Sequence, residues 1–143
     1  MRNDEVFALI KERVDGGGQA LLTVTGRSME PLFKDGRSAV RLVKPSFPLK
    51  KHDIALYLRE NGAAVLHRAV KVRVNSCDFR GDNECRTEKQ VPFGKIAAVV
   101  VSAETDGREV KLCGAKYRLY ILLRVRGYML RRAFRALRKR IYS

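Results

Sequence analysis

Residues 54–74, IALYLRENGAAVLHRAVKVRV, decide the fold. Two runs of β-branched and apolar residues, 54–59 and 63–74, are separated by Asn61-Gly62, a pair that tolerates positive φ and closes a tight hairpin. The same grammar repeats outward. Residues 20–25 (ALLTVT), 38–43 (SAVRLV), 95–104 (KIAAVVVSAE) and 108–113 (REVKLC) are short β-prone runs. Asp106-Gly107 sits between the last two as a second tight turn, Asp35-Gly36 is another turn pair, and Pro45 and Pro48 mark a loop. The sequence therefore predicts a mostly β core of six or so strands.

Helices flank that core. Asn3 or Asp4 can cap a short first helix in which Val6, Phe7, Ile10 and Val14 recur at helical spacing, and Gly16-Gly17-Gly18 ends it. Residues 117–142 contain no Pro and a single Gly, with Leu, Ile, Met and Phe interleaved with Arg, which predicts a longer basic helix. The expected division is residues 1–114 as the β domain with its N-terminal helix and residues 115–143 as a basic amphipathic helix.

Charge follows the same division. The 143 residues carry 30 Lys and Arg against 15 Asp and Glu, but residues 1–109 hold 19 basic and 15 acidic groups. Beyond Glu109 there is no acid, and residues 110–143 contain eleven basic groups. Residues 1–15 mix acids and bases and do not read as a signal peptide. No apolar run approaches the ~20 residues of a spanning helix. Cys77, Cys85 and Cys113 have no metal-ligand spacing, so neither a metal nor another cofactor is expected, and three free thiols are favoured over a Cys77–Cys85 bond.

Three stretches can carry chemistry. In Gly26-Arg27-Ser28-Met29-Glu30-Pro31, a Ser follows a β run at a turn, where a hydroxyl can project and backbone N–H groups can face a developing oxyanion. In Val65-Leu66-His67-Arg68-Ala69-Val70, a lone His lies inside an apolar strand, and His is the side chain best suited to take a Ser proton at neutral pH. His52, in a polar stretch, reads as a solvated turn residue. Arg80-Gly81-Asp82-Asn83, followed by Glu88, supplies carboxylates able to fix an imidazole tautomer. Each alone has a structural explanation as a loop Ser, a packed His or an Asx turn.

Their order and spacing resemble the Ser-His branch of the type I signal peptidases, the branch of eukaryotes, archaea and sporulating bacteria. G-x-S-M-x-P, then x-x-H-R-x-V, then G-D-N, then F-G-K-I follow one another as in that branch. Lys51-His52-Asp53-Ile54-Ala55-Leu56-Tyr57 is similar to its G-D-I-V-x-Y box, with His52 in place of the usual Gly. The resemblance spans about residues 20–105. It implies the β core shared by signal peptidases and self-cleaving repressors, Ser28 as nucleophile and His67 as general base. The third member falls on Glu88, six residues beyond the Asp of G-D-N, with Asp82 an equal candidate. Gly26 stands where several relatives carry a Ser that assists the oxyanion hole, which leaves the Ser28 N–H and Thr25 for that task.

The function expected is a serine endopeptidase that cleaves leader or signal peptides of precursor proteins after a small residue. Eight Arg and two Lys among the bulky apolar residues of 116–142 suit an anionic membrane surface better than nucleic acid. The location expected is thus peripheral to a membrane. The alternatives are a self-cleaving regulator, which would require a Lys base and a DNA-binding domain that residues 1–19 are too short to form, and a non-catalytic protein of the same fold that binds membrane or nucleic acid through its tail.

Overall fold

The structure, a computed structural model, describes residues 2–142 apart from the side chain of Met129. Ser143 and the Met129 side chain, both part of the basic segment, lie outside the described residues. The chain forms two compact units, Met1–Leu112 and Cys113–Ser143.

The first unit is mostly β. Helix α1 (Asn3–Asp15) precedes eight strands: β1 (Ala20–Thr23), β2 (Ser38–Val43), β3 (Ile54–Leu58), β4 (Ala64–Val72), β5 (Ser76–Arg80), β6 (Glu88–Pro92), β7 (Ile96–Thr105) and β8 (Arg108–Val110). All pair antiparallel in the order β1-β2-β7-β3-β4-β5-β6, with β8 beside β7. Arg2, one residue earlier than expected, caps α1, and its N–H donates to the Glu5 carboxylate. Phe7, Ile10 and Val14 face inward and join Val40, Leu42, Leu56 and Ala98 in one core. Tyr57, Ala69, Cys77 and Phe79 form a second.

The two hairpin pairs behave as read. Asp106 and Gly107 both have positive φ, 52° and 78°, the geometry that matches strand twist. Gly62 has φ 86° and the Asn61 side chain accepts the Ala63 N–H. Strands β5 and β6 escape a reading by apolar runs. β5 is SCDFR, buried throughout, because Arg73 holds Asp78 with two hydrogen bonds of 3.0 and 2.9 Å. β6 is EKQVP, a polar edge strand. The three cysteines are free.

Arg68 of β4 is fully buried and meets Asp82 through two parallel bonds, Nε–Oδ1 at 2.8 Å and Nη2–Oδ2 at 2.9 Å. Its Nη1 donates to the carbonyl of His52 at 3.0 Å. His52 is half-buried rather than solvated, with φ 79°, the left-handed region that favours Gly.

The second unit is helical but not continuous. α2 (Ala115–Ile121) runs into a π-helical stretch, Leu122–Arg126, and α3 (Tyr128–Tyr142) follows Gly127. A Cβ on Gly127 would lie 2.3 Å from the carbonyl oxygen of Leu123, so only Gly fits at this joint.

Breaking the buried pair by Arg68→Ala leaves Asp82 desolvated without its guanidinium. The expected loss is about 3–5 kcal/mol of unfolding free energy, read from urea denaturation.

Candidate active site

Ser28 lies in the loop between β1 and β2, half-buried. The loop is anchored from inside: Met29 is 1% and Phe33 0% exposed, both in the larger core. It is clamped from outside by the turn after β5. Asn83 N–H donates to the Ser28 carbonyl at 2.8 Å, and Asn83 Nδ2 donates to the Arg27 carbonyl at 3.2 Å. Gly81 permits the approach. A Cβ there would lie 2.5 Å from the Ser28 carbonyl oxygen and 3.1 Å from both the Ser28 Cβ and the Glu84 carboxyl carbon. The seryl side chain and that carboxyl group thus flank one absent methyl group.

His67 lies on β4, 2% exposed. Its Nε2 is 3.7 Å from Glu84 Oε2, too long for a hydrogen bond but close for an ion pair once the ring is protonated. Its Nδ1 is 3.1 Å from the Tyr57 hydroxyl and 3.9 Å from Glu88 Oε1. Glu84 thus joins the two sequence-derived residues: its carboxyl group neighbours Ser28 across Gly81 and faces His67 Nε2. Among the described residues no direct hydrogen bond joins Ser28 to His67.

The two acidic candidates separate. Asp82 is committed to Arg68, whereas Glu88 approaches the imidazole. Glu88 is held by Arg59, whose Nε donates at 2.7 Å. Burial pushes the Glu88 carboxyl up, but Arg59 outweighs burial and holds it below its usual range. Burial pushes His67 below the ordinary imidazole value, against the opposing pull of the Glu84 and Glu88 charges. Tyr57 and Glu84 were not singled out from the sequence. Tyr57 stood in the quoted K-H-D-I-A-L-Y box, and Glu84 lies two residues past Asp82; their roles arise from strand register and turn geometry.

Beside Ser28 is a cavity of about 140 Å³, lined by Leu22, Val24, Met29, Leu56 and Val65 among others. A cavity of ~150 Å³ holds a group the size of benzene, so this one admits a single modest side chain. Two strand edges border it. β1 pairs with β2 alone, and β5 joins β4 only from Arg68 onward, so residues 64–67 have β3 on one side only. Among the described residues no protein acceptor engages the Ser28 N–H. Nor does any group of three or more potential metal ligands occur among them.

No protein-family model, curated protein or solved structure matches this chain.

Gly81→Ala must push the Ser28 loop off its clamp and should cost about 1–3 kcal/mol. Gly94→Ala, where an added methyl meets nothing within 4 Å, should not. Thermal unfolding of the two variants side by side provides the check.

Proposed function

We propose that the chain is a serine endopeptidase of the signal-peptidase type, acting on leader or signal peptides of precursor proteins. The observation that carries this reading is the convergence of Ser28 and the Nε2 side of His67 on one turn, Gly81–Glu84, next to a small apolar cavity. An extended substrate would lie along the unpaired edges of β1 and β4, with main-chain hydrogen bonds giving affinity and the cavity taking a small side chain. His67 Nε2 takes the proton as Ser28 Oγ attacks the scissile carbonyl, and the Ser28 N–H donates to the oxyanion. Glu84 favours the imidazolium that forms. His67 then protonates the leaving amine, and water hydrolyses the acyl-enzyme with His67 again as base.

Ser28→Ala and His67→Ala should each abolish cleavage of a signal-peptide substrate, since residues acting as one unit are non-additive. The acid limb of kcat/KM should lie below the ordinary imidazole value, because burial disfavours the charged ring and neutral imidazole is the active form. A limb at or above that value, or turnover by either variant, counts against the assignment.

We also propose that the second unit binds an anionic membrane surface. Leu130, Phe134, Leu137 and Ile141 recur at spacings of four, three and four along α3, and are 79%, 68%, 56% and 67% exposed. Five Arg and one Lys accompany them on α3, with no acid. Such a helix lies apolar face down in the headgroup region with its cations at the phosphates. No helix among the described residues is long and apolar enough to cross a membrane, so surface attachment would bring the enzyme to bilayer-embedded precursors. Each cation near an anionic surface contributes about 1 kcal/mol, so changing Arg131, Arg135 and Arg138 together to Gln should weaken anionic-vesicle binding on the order of 100-fold. Vesicle co-sedimentation at fixed salt checks this. Preference for duplex DNA over those vesicles would favour the nucleic-acid alternative.

A further inference from the structure

Three loops meet at one end of the β unit and carry apolar side chains that the core does not use. The turn between β4 and β5 is closed by the Arg73 N–H, which donates to the Ser76 carbonyl at 2.8 Å and leaves Val74 at the tip, 96% exposed. The carbonyl of the next residue, Asn75, accepts the Phe93 N–H at 3.2 Å, so the segment before β7 lies beside that tip. Phe93 in turn stacks on Phe47 of the β2–β3 loop, with centroids 4.8 Å apart and planes 21° from parallel, and Phe47 is 46% exposed. The loop that presents Phe47 is pinned. Leu49 is buried in the smaller core, the His52 N–H donates to the Ala69 carbonyl and the Ala69 N–H to the Asp53 carbonyl, both at 2.7 Å. Apolar residues exposed singly are ordinary, but a stacked Phe pair beside a bare Val tip forms a patch.

Cations surround it. Lys44, Lys50 and Lys51 flank Phe47 in its loop, Lys71 precedes the Val74 turn and Lys95 follows Phe93; all five are exposed. Among the described residues none of the five enters an ion pair. Of the acids nearby, Asp78 is held by Arg73, and Asp53 is half-buried with its carboxylate accepting the Lys50 N–H. Without these five lysines, residues 1–109 hold 14 basic groups against 15 acidic ones, so the positive surplus of the unit is accounted for at this end. The apolar groups stand at loop tips and the cations around them. A surface that is anionic outside and apolar just beneath fits that order, since Lys stems can lie along the apolar boundary with their ammonium groups at phosphates.

We propose that this end of the β unit is a second membrane-contact site, in which Val74 and Phe47 enter the headgroup region of an anionic bilayer and the lysines engage its phosphates. It shares its partner with the reading given for α3 and none of its residues. The site also orients the unit. Val74 follows the end of β4 that pairs with β5, and the Asn61-Gly62 turn precedes the other end, so the β3–β4 turn points away from the bilayer.

The sequence contains no Trp, so a single introduced one reports its own surroundings. The test compares Val74→Trp with Glu60→Trp, an exposed position on the β3–β4 turn. Each full chain is mixed with phosphatidylcholine vesicles with and without phosphatidylserine. The emission of Val74→Trp should shift to the blue with the anionic vesicles alone, and that of Glu60→Trp with neither. The shift should persist when Arg131, Arg135 and Arg138 are all changed to Gln. In that background, changing Lys50, Lys51 and Lys71 to Gln should weaken anionic-vesicle binding on the order of 100-fold. Unshifted Val74→Trp emission on vesicles that the chain does bind overturns the proposal and leaves the α3 reading standing. A shift that disappears with the three Arg, or equal shifts in the two Trp variants, overturns it as well. Lysine changes that spare vesicle binding and weaken binding of polyglutamate overturn it in favour of an acidic protein partner. If the Val74→Trp shift persists while the three Arg changes leave vesicle affinity intact, this site stands and the α3 reading falls.

Discussion

Arg68 and Asp82 meet where water does not reach, and the geometry around Ser28 follows from that contact. Their two parallel bonds fix the turn after β5 against β4. Once the turn is fixed, Asn83 reaches the Ser28 carbonyl and Gly81 lets the two backbones close. His67 precedes Arg68 on the same strand, so its side chain leaves the opposite face and meets Tyr57, Glu84 and Glu88 instead. Burying such a pair is expensive, and apolar replacements of similar volume are often as stable or more so. Stability alone is therefore a poor reason for it. Register is the better reason, because a one-residue slip of β4 would exchange the His67 and Arg68 faces.

The strands with apolar alternation were legible because each carries its own signal. β2 was read to the residue and β7 to within one, and the Asn-Gly and Asp-Gly hairpins fell where positive φ is needed. β5 was not legible because its buried pattern contains Asp78 and Arg80, whose partners come from elsewhere in the chain. The helical tail read as one helix, since Gly127 costs only ~1 kcal/mol within a helix and so gives a weak stop signal. The break comes from the π-helical stretch before it. Ser28 and His67 stood out by residue type and setting. The acidic partner did not, because two carboxylates of equal chemical aptitude differ only in which Arg each one meets: Arg68 for Asp82, Arg59 for Glu88.

His67 sits under opposing forces of similar origin. Burial removes water from the imidazolium and lowers its pKa, while Glu84 and Glu88 favour the charged ring. A base needs both. Too little burial leaves it protonated at neutral pH, and too little nearby negative charge makes the imidazolium costly at the moment it must form. The carboxylates act from opposite ends of the ring, Glu84 at Nε2 and Glu88 at Nδ1. Only at Nδ1 does a hydroxyl also come within hydrogen-bonding reach of the ring, that of Tyr57 at 3.1 Å.

The charge asymmetry of the sequence matches the division into units. The β unit needs neighbouring opposite charges, since each buried ion there must be compensated locally. Its acids and bases nearly balance because they are spent on one another, as in Arg73–Asp78, Arg59–Glu88 and Arg68–Asp82. The helical unit has no acid to spend, and its cations cannot be neutralised within it. A helix that keeps Leu130, Phe134, Leu137 and Ile141 in solvent beside uncompensated Arg gains nothing from folding alone. The membrane attachment proposed above would give its amphipathic face a free-energy reason, since an anionic bilayer is negative at its surface and apolar beneath.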